Sequence, residues 1–417
     1  MAQLSDDCFA FSGPLLPIEE MERLIAERVN PVAGSETVAL RDAYGRVLAA
    51  DVVAPLNLPP FDNSAVDGYA VRHVDLRPDG ETRLTVAGRV TAGHAAVAML
   101  PGQAVRIFTG APMPQGADTV FMQEDCRLDG DTVILPAGLK AGANRRLAGE
   151  DVKAGAVALL AGRFLSARDV ALAAALGRPA IEVRRRVRVA LFSTGDEIVE
   201  PGAPRSPSSL FDANRFLLAN LIQRMGAEVT DLGIVADDPK ALERAIGEAA
   251  RSHDLVLTSG GVSTGEADHV RTAVEKIGRL VFWRVAIKPG RPVAMGVVAG
   301  AAFAGLPGNP AAAFVTFVRV VRPLLLQLAG ALPRPLVPLP VKAAFSYRKK
   351  KGRREYVRVA LRHAADGGVE AFKHPQEGAG VITSLTETDG LVELADDTTA
   401  VEPGSTVGFL SYASLLG

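Results

Sequence analysis

Two hydrophobic periods alternate along the chain. Between residues 186 and 330, short apolar runs are separated by polar turns and by segments whose apolar residues recur at helical spacing. These patterns predict strands at 187–192, 228–235, 255–258, 280–287 and 302–305, and helices at about 213–225, 239–251, 268–277 and 310–328. Strands that alternate with helices of this length are typical of a doubly wound parallel sheet covered by helices on both faces.

The rest of the chain has other periods. Helices are predicted at 15–29, at 40–48 and, in an Ala-rich segment, at about 167–176. Short β-type runs between Gly, Pro and Asp turns fill 55–140. The last 75 or so residues have apolar positions in period two, such as Val357 and Val359, which predict a small β barrel or sandwich.

These changes of pattern predict a multidomain fold of the α/β and β classes. A central doubly wound αβ domain spans 186–330, and a small β module of 55–140 is inserted into a mixed, partly helical N-terminal domain of 1–54 plus 141–185. A C-terminal β domain spans 331–417 and begins with a linker, 332–340, that contains four prolines.

Composition limits the kind of protein. Lys plus Arg number 46 and Asp plus Glu number 47, a balance that argues against a protein that binds nucleic acid or a membrane surface. Cys8 and Cys126 are too few for a disulfide framework or a thiolate metal cage, and the six His residues lack the spacing of a zinc site. No apolar run approaches the roughly 20 residues of a membrane span, and the acidic N-terminus differs from a signal peptide. We therefore expect a cytoplasmic enzyme or binding protein.

Four Gly- or Pro-rich loops follow predicted strands of the central domain. They are 193–197 (Ser-Thr-Gly-Asp-Glu), 259–266 (Ser-Gly-Gly-Val-Ser-Thr-Gly-Glu), 288–292 (Lys-Pro-Gly-Arg-Pro) and 305–310 (Gly-Leu-Pro-Gly-Asn-Pro). Ligands of an open parallel sheet bind outside the carboxyl ends of its strands. The four loops therefore predict a single site at one edge of the sheet.

The residue types of these loops suit a phosphate or another oxyanion. The glycines and hydroxyls of 259–265 permit a nest of backbone N–H groups, and Lys288 supplies a point charge. Pro310 is placed as the first residue of a helix whose N-terminus attracts anions. The alternative for each loop is an ordinary strand-to-helix turn with solvated charges.

Carboxylates follow the same strands. Glu197, Asp237 and Asp268 come after the first, second and third predicted strands. Mg²⁺ takes one or two carboxylates together with phosphate oxygens and water, so these residues suit Mg²⁺ that bridges a phosphate. Helix capping is the alternative for Asp237 and Asp268, since Asp before Pro239 is a routine helix start.

A second cluster of rigid polar loops lies in the first 151 residues. It contains Asp67, Thr109, Arg146 and Asp151, each among turn-forming residues. Ordinary turn chemistry can account for any one of these loops. It accounts less well for their joint richness in Asp, Thr and Arg.

Seven motifs stand in an order that is similar to one protein family. They are Phe61 to Ala70 (Phe-Asp-Asn-Ser-Ala-Val-Asp-Gly-Tyr-Ala), Thr109 to Pro112, Gly149 to Asp151, Ser193 to Glu197, Gly260 to Asp268, Lys288 to Gly290 and Gly305 to Pro310. Together they resemble the molybdopterin molybdotransferases, the MoeA-like proteins related to the gephyrin E domain. The resemblance extends from about residue 15 to about residue 415.

The resemblance implies an activity and partners. It implies insertion of molybdate into the dithiolene of adenylylated molybdopterin during molybdenum cofactor biosynthesis, with Mg²⁺-dependent release of AMP. It also implies a homodimer in which the front β module of one subunit faces the αβ domain of the other, so that the active site lies at the interface. Transient contacts with the molybdopterin adenylyltransferase and with molybdoenzyme chaperones are expected as well.

The resemblance also assigns roles to residues. Those similar to catalytic positions are Asp67, Thr109, Arg146, Asp151, Glu197 and Lys288. Those similar to positions that bind the pterin nucleotide or molybdate are Ser193, Thr194, Gly195, Gly260, Gly261, Ser263, Gly265, Pro307, Gly308, Asn309, Pro310, Arg353 and Ser384. The expected Mg²⁺ ligands are Asp237 and Asp268, with Glu197 nearby. Lys288, Arg353 and Ser384 are the residues expected to hold molybdate.

The chain departs from the family pattern at two positions that could contact the anion or the metal. Ala312 stands where the family often has Ser, and Ala213 replaces a Ser or Thr, so each position lacks a hydroxyl.

Two alternative functions are also considered. An adenylyltransferase or nucleotide pyrophosphatase would need only the αβ domain, and the front-half motifs count against it. A non-catalytic scaffold or metal-store protein would not need the retained acids, such as Asp67 and Asp151.

Overall fold

The computed structural model describes residues 4, 9, 15–32, 34–261, 269–364 and 367–416. In the first 185 residues the helices are α1 (Ile18–Arg28) and α2 (Ala167–Ala175). The strands there are β1 (Ser35–Ala39), β2 (Val52–Val53), β3 (Asn63–Ser64), β4 (Gly68–Val71), β5 (Thr82–Val90), β6 (Gln103–Ile107), β7 (Thr119–Met122), β8 (Arg127–Asp129), β9 (Thr132–Leu135), β10 (Arg145–Arg146), β11 (Val157–Leu159) and β12 (Ala180–Arg184).

A six-stranded sheet fills the middle of this part of the chain. Its strand order is β7-β4-β6-β5-β9-β8. The strands before and after it pair with each other, β1 with β12, β2 with β11 and β3 with β10, all antiparallel. The chain therefore leaves a small framework, forms the sheet and returns to the same framework. The domain boundaries themselves stay a prediction.

The helix predicted at 40–48 is wrong. Only Leu40–Asp42 forms a short 3₁₀ turn. Gly45 has a φ of 71°, and Val47 and Leu48 form isolated β-bridges. Val47 and Leu48 are buried beside the residues they pair with, so the spacing of apolar residues here does not describe a helix face.

The central part contains nine strands and five helices among the described residues. The strands are β13 (Arg188–Thr194), β14 (Ile198–Val199), β15 (Leu210–Phe211), β16 (Glu228–Val235), β17 (Leu255–Ser259), β18 (Gly278–Arg284), β19 (Ile287–Lys288), β20 (Pro292–Val298) and β21 (Ala301–Leu306). The helices are α3 (Asn214–Arg224), α4 (Pro239–Ser252), α5 (His269–Ile277), α6 (Pro310–Thr316) and α7 (Arg322–Leu328), the last two joined by the π-helical segment Phe317–Val321.

The central sheet is mixed rather than fully parallel. Its order is β16-β13-β17-β21-β20-β18, in which the first four strands are parallel, β20 is antiparallel to β21, and β18 is antiparallel to β20. The sequence did not predict β20. It is joined to β21 by the two residues Ala299 and Gly300, both with positive φ. Such a hairpin usually carries Asn-Gly or Asp-Gly, so an Ala-Gly turn gives little signal.

The middle strands of this sheet, β13, β17, β21 and β20, are buried on both faces, as in a doubly wound fold. Along β13, Val189 and Leu191 belong to one hydrophobic cluster, while Ala190 and Phe192 belong to another on the opposite face. Successive strand residues point to opposite faces. The apolar run of this strand therefore reflects two cores, and the predicted αβ architecture is confirmed.

The helix Pro310–Leu328 is long and apolar enough to cross a membrane by length and composition, with 83% of its most apolar window buried inside the protein. It is the one such helix in the described part of the chain. The core helix of a globular domain meets the same criteria, and here Phe314, Phe317 and Leu324 pack in the main hydrophobic cluster. Arg319 and Arg322 interrupt its apolar residues, so the helix is not a continuous apolar run.

The C-terminal part is a closed barrel. Its strands are β22 (Leu339–Ala343), β23 (Tyr347–Arg348), β24 (Arg354–His363), β25 (Val369–Lys373), β26 (Gly390–Leu394), β27 (Ala400–Val401) and β28 (Thr406–Ser411), and its helices are α8 (Thr383–Thr386) and α9 (Tyr412–Leu415). The strands β24-β25-β22-β28-β26 close because β26 pairs with β24. The barrel is attached to the central part by β19, which pairs with β24 and places Lys288 opposite Glu355.

Candidate functional site

The four predicted loops share one edge of the central sheet. The strands β13, β17 and β21 are parallel, so the loops at 193–197, after Ser259 and after Leu306 emerge at their common carboxyl edge. Two antiparallel steps return β18 to the same direction, so the segment with Lys288 also emerges there. The prediction of one shared edge is confirmed.

The loops after β13 and β17 pack backbone against backbone. Gly260 has a φ of 89°, and a Cβ at this position would lie 2.5 Å from the carbonyl oxygen of Thr194. A Cβ at Gly261 would lie 2.8 Å from Thr194 Cγ2. Side chains larger than hydrogen do not fit at either position, so these glycines serve close approach as well as conformational freedom.

Asn214 joins two of the loops and was not predicted as a site residue. Its Nδ2 donates to Ser259 Oγ at 2.9 Å and to the Gly308 carbonyl at 2.7 Å. Its Oδ1 is buried and has no hydrogen-bond partner among the described residues. The only sequence signal was the segment 211–214, where the sequence analysis singles out the missing hydroxyl of Ala213 and not the amide of Asn214.

A cavity of about 350 Å³ lies between this edge and the barrel. From the central part it is lined by Lys288, Pro289, Gly290, Pro292, Pro307, Asn309 and Ala312. From the barrel it is lined by Tyr347, Tyr356, Val357, Arg358, Lys373, His374, Gln376, Glu377 and Ala379. The barrel loop is fixed to the start of α6 because the Ala311 N–H donates to the Ala379 carbonyl at 2.9 Å. The cavity is therefore built jointly by two parts of the chain.

Glu355 organises the cations at one side of this cavity. Its side chain is only 1% exposed and accepts hydrogen bonds from Lys288 Nζ at 3.2 Å, Arg353 Nε at 2.8 Å and Tyr347 Oη at 2.7 Å. Burial opposes the charge on Glu355, but the hydrogen bonds from Tyr347, Arg353 and Lys288 outweigh it and hold the pKa below its usual value. Burial, followed by the bond to Glu355, raises the pKa of Tyr347. The carboxylate is therefore charged and the phenol neutral at physiological pH.

The three residues predicted to hold molybdate lie in three different environments. Lys288 lines the cavity. Arg353 is paired with Glu355 and is not among the lining residues. Ser384 lies in α8, fully buried, and its hydroxyl donates to the Val381 carbonyl.

Three cationic or ionisable barrel residues in the cavity were not predicted. Arg358 is 5% exposed and donates to the carbonyls of Gln376 and Gly378, both at 3.2 Å, while its Nε is buried with no partner among the described residues. Lys373 and His374 line the same wall. In the period-two pattern Arg358 falls between Val357 and Val359, and the pattern does not reveal its bonds to the carbonyls of the segment after β25.

In the front half, the structure joins Asp67 to Thr109. Asp67 Oδ1 accepts the Thr109 backbone N–H at 2.7 Å and its hydroxyl at 2.8 Å, and these bonds lower the pKa of Asp67. Arg146 is exposed on β10, and Asp151 is also exposed. In the described chain, no hydrogen bond or ion pair joins these four residues to the carboxyl edge of the central sheet.

The predicted metal ligands lie at that edge where they are described. Asp238 caps α4, since its side chain accepts hydrogen bonds from the N–H groups of Lys240 and Ala241. The neighbouring Asp237 is not the cap, and its side chain accepts a hydrogen bond from the Thr194 hydroxyl at 3.4 Å. Glu197 is exposed in the loop after β13. No group of three or more His, Cys, Asp or Glu side chains that could hold a metal occurs within the described ranges. The predicted ligands Ser263, Gly265 and Asp268 lie outside these ranges.

The predicted nucleotide loop at the start of α6 is partly exposed. Pro307 and Asn309 line the cavity, and Pro310 is the first residue of the helix with Asn309 as its cap. A Cβ added at Gly308 would lie 3.9 Å from Gly260 Cα, so the two loops are close at this point. Ser193 and Thr194 are almost completely buried at the end of β13, and Gly195 has a φ of 144°.

Three family models match successive parts of the chain. The model described as "MoeA N-terminal region (domain I and II)" matches residues 16–177. The model described as "Probable molybdopterin binding domain" matches 190–327, and "MoeA C-terminal region (domain IV)" matches 340–412. The central match contains the four loops of the sheet edge, and the last contains the barrel wall of the cavity.

Full-length proteins are similar as well. The chain is 37% identical over 406 residues to a molybdopterin molybdenumtransferase of Haemophilus influenzae, covering 97% of this chain and 100% of that protein. It is 36% identical over 399 residues to molybdopterin molybdenumtransferase 2 of Mycobacterium tuberculosis, covering 93% and 97%. A solved structure of a molybdopterin biosynthesis MoeA protein from Pyrococcus horikoshii matches with a TM-score of 0.79 at 29% identity, covering 95% of this chain and 100% of that one.

Proposed function

The chain belongs to the MoeA family, and we propose that it is a molybdopterin molybdenumtransferase that inserts molybdate into the dithiolene of adenylylated molybdopterin. The product is a molybdenum cofactor, and AMP is the leaving group. The single observation that supports this most strongly is the cavity between the sheet edge and the barrel, because its chemistry suits a small oxyanion.

The cavity combines positive charge with few carboxylates. Lys288, Arg358 and Lys373 line it, and Glu377 is the one acid among its lining residues. A tetrahedral dianion is bound well by charged N–H donors, and no soft protein ligand is needed when the pterin sulfurs bind the metal. We assign molybdate to this cavity, with Lys288 and Arg358 as its principal donors.

Glu355 prepares Lys288 for this role. The lysine is tied to the buried carboxylate at 3.2 Å and lies 5.8 Å from the centre of the Tyr347 ring. A flexible ammonium group that is already ordered loses less entropy when an anion binds. Glu355 is thus proposed to position Lys288 without contacting molybdate.

The pterin nucleotide is assigned to the glycine loops of the same edge. Gly260 and Gly261 expose backbone where no side chain fits, and Pro310 begins a helix whose N-terminus favours a phosphate. This edge adjoins the cavity through Pro307 and Asn309. The dithiolene and molybdate would then meet where the loop and the cavity adjoin.

Mg²⁺ is proposed to bind at the carboxylates of this edge. Asp237 and Glu197 follow the adjacent strands β16 and β13, and oxygen ligands are those that Mg²⁺ prefers; Asp268 is added from the sequence. The donor set fits, since Asp237 is not used as a helix cap. When bound, Mg²⁺ would offset negative charge on the phosphate oxygens. The protein residues orient the phosphates by their backbone N–H groups.

We also propose that the working unit is a homodimer. Asp67 and Thr109 are joined, while Arg146 and Asp151 expose their side chains without an ion pair in the described chain. The sheet edge of a partner subunit would give these polar side chains a substrate to contact. We also propose transient contacts with the adenylyltransferase that makes the activated pterin and with chaperones of the enzymes that receive the cofactor.

A single-turnover assay tests the activity. The protein is mixed with adenylylated molybdopterin and Mg²⁺, and AMP is followed with and without molybdate. The proposal predicts AMP release only when molybdate is present. ATP or dinucleotide turnover without molybdate would indicate an adenylyltransferase or pyrophosphatase, and tight pterin binding without any turnover would indicate a scaffold.

Asp237→Asn and Asp238→Asn form a matched pair for the Mg²⁺ assignment. Each removes one negative charge from the same turn, and Asn caps a helix about as well as Asp. AMP release should fall by at least about tenfold in Asp237→Asn and stay near wild type in Asp238→Asn. Equal effects of the two substitutions would refute the assignment of Asp237.

A further inference from the structure

A second cavity lies outside the site described above. It has a volume of about 280 Å³, close to the lower end of the roughly 300–1,000 Å³ typical of small-molecule pockets. Its walls come from α1, from the second half of the long helix 310–328 and from the segment 331–336. None of its lining residues lines the molybdate cavity. The two cavities are therefore separate.

One arginine in the wall of this cavity has no partner among the residues that the structure describes. Arg322 lines it and is only 7% exposed, and its Nε is completely buried. Its guanidinium makes no hydrogen bond and no ion pair with any residue that the structure describes. A buried charge without a partner is costly, and natural proteins rarely retain one without a compensating group.

The neighbouring arginine shows what Arg322 lacks. Arg319, one helical turn earlier, is 6% exposed, but its guanidinium is paired with Glu22 at 3.0 Å and lies 5.9 Å from the Tyr356 ring centre. Arg334, also in the cavity wall, is exposed. The cavity thus contains three arginines and one glutamate, and that glutamate is already paired.

The charge balance points to an anionic ligand. Burial lowers the pKa of Arg322, and the charges of Arg319 and Arg334 lower it further, while Glu22 acts in the opposite direction. Arginine stays protonated in proteins even so. An added carboxylate would therefore relieve both the missing hydrogen bonds and the repulsion between arginines.

The remainder of the wall is apolar. Ile25, Val318 and Leu326 line the cavity together with Pro323, Pro333 and Pro335. A fully hydrated inorganic anion would gain nothing from these surfaces. A ligand with an anionic head and a short hydrocarbon body would satisfy Arg322 and bury apolar surface at once.

We propose that this cavity is a binding site for a small amphiphilic carboxylate, with the carboxylate on Arg322 and the hydrocarbon against Ile25, Val318 and Leu326. The site is distinct from the molybdate cavity and does not depend on the transferase reaction. Its two recognition elements lie on different parts of the chain, the charge on the long helix and much of the apolar wall on α1 and 331–336.

Calorimetric titration with hexanoate tests the proposal, with hexanamide as a neutral ligand of the same shape. Hexanoate should bind saturably to the full-length protein at low ionic strength, and hexanamide should bind at least about tenfold more weakly. Arg322→Met should weaken hexanoate binding by about tenfold or more. It should leave the melting temperature unchanged or higher, because it removes an unpaired buried charge.

Arg224→Met is the matched control, since Arg224 is an exposed arginine at the end of α3. It changes the net charge equally and should leave hexanoate binding as in wild type. Equal binding of hexanoate by wild type and Arg322→Met, or equal binding of hexanoate and hexanamide, would overturn the proposal. So would the absence of binding together with a weaker dimer in sedimentation of Arg322→Met, because Arg322 would then pair with a second copy of the chain.

Discussion

Lys288 Nζ lies 3.2 Å from Glu355 Oε2, and the two residues stand opposite each other where β19 joins the barrel. This pair connects the carboxyl edge of the central sheet to the barrel wall. Arg353 and Tyr347 bond to the same carboxylate. The lysine is therefore held by one buried acid and by the Tyr347 hydroxyl, which lies 3.3 Å from Lys288 Nζ.

Glu355→Gln should destabilise the protein in a pH-dependent manner. The pKa of Glu355 is lowered in the folded state because its hydrogen bonds outweigh its burial, so the ionised group adds stability that is complete above its usual pKa near 4.5. That contribution is lost as the pH falls toward the lowered value. Denaturant unfolding should show a deficit of roughly 1–3 kcal/mol at pH 7 that shrinks below about pH 4.5.

Glu377→Gln is the control for this prediction. Glu377 lines the same cavity and pairs with Lys373, but its side chain is 51% exposed. Exposed pairs contribute about 0–1 kcal/mol. A deficit for Glu355→Gln that equals that of Glu377→Gln, or that does not change with pH, would contradict the role assigned to Glu355.

Gly260→Ala should destabilise the protein more than Gly202→Ala. The two glycines have nearly the same φ, 89° and 87°, but only at Gly260 would the Cβ meet another group, the Thr194 carbonyl at 2.5 Å. The backbone conformation alone costs about 1–2 kcal/mol for alanine. Thermal unfolding should show that cost at Gly202 and a larger one at Gly260, together with loss of AMP release. Equal costs would mean that the loop can move aside.

Asn214→Ala should loosen two loops at once. It removes the bonds from Nδ2 to Ser259 Oγ and to the Gly308 carbonyl, and we expect a loss of roughly 1–3 kcal/mol and a weaker affinity for the pterin substrate. Asn220→Ala on the same helix removes only an exposed bond to the Phe216 carbonyl and should change stability by no more than about 0.5 kcal/mol. Similar pterin affinities in the two variants would argue against a bridging role for Asn214.

Ala312→Ser should strengthen molybdate binding. Ala312 lines the cavity, and a hydroxyl there would add a hydrogen-bond donor for the anion. One additional bond corresponds to a gain of about two- to tenfold in affinity. Ala311→Ser adds the same group at a fully buried position outside the cavity and should give no gain. Equilibrium dialysis with molybdate measures both, and no difference between them would place the anion elsewhere.

Asp67→Asn and Asp237→Asn should each abolish AMP release as separate proteins but recover activity when mixed. If the front cluster completes the partner's site, a mixed dimer contains one site without either substitution. Random reassociation should then restore about a quarter of wild-type activity. Activity measured after unfolding and joint refolding tests this. No recovery, despite mixed dimers on native electrophoresis, would place both residues in the same subunit's site.

Most of the central fold could be predicted because its physical causes are local. Strand β16 was predicted with its observed bounds, and α4 was predicted nearly in full since Asp238, Pro239 and its amphipathic spacing all lie within the helix or next to it. The antiparallel strands were harder to predict. The hairpin at Ala299 and Gly300 lacks the usual turn residues, so β20 and the antiparallel half of the sheet were missed.

The sequence predicted those site residues whose type is unusual for their position in the chain. The glycines stand in loops and Lys288 stands at the end of the short strand β19, just before Pro289, where such residues need an explanation. Arg358 and Asn214 stand inside regular elements, and their importance comes from what covers them. Arg353 carries the expected charge but pairs with Glu355, two residues later in the chain, and charge patterning does not reveal this contact.

Diffraction at the molybdenum absorption edge, from crystals grown with molybdate, tests the central claim most directly. We expect the strongest anomalous peak to lie in the cavity between the sheet edge and the barrel, within roughly 4 Å of both Lys288 Nζ and the Arg358 guanidinium. A strongest peak outside that cavity, or no peak at molybdate concentrations that support AMP release, would contradict it.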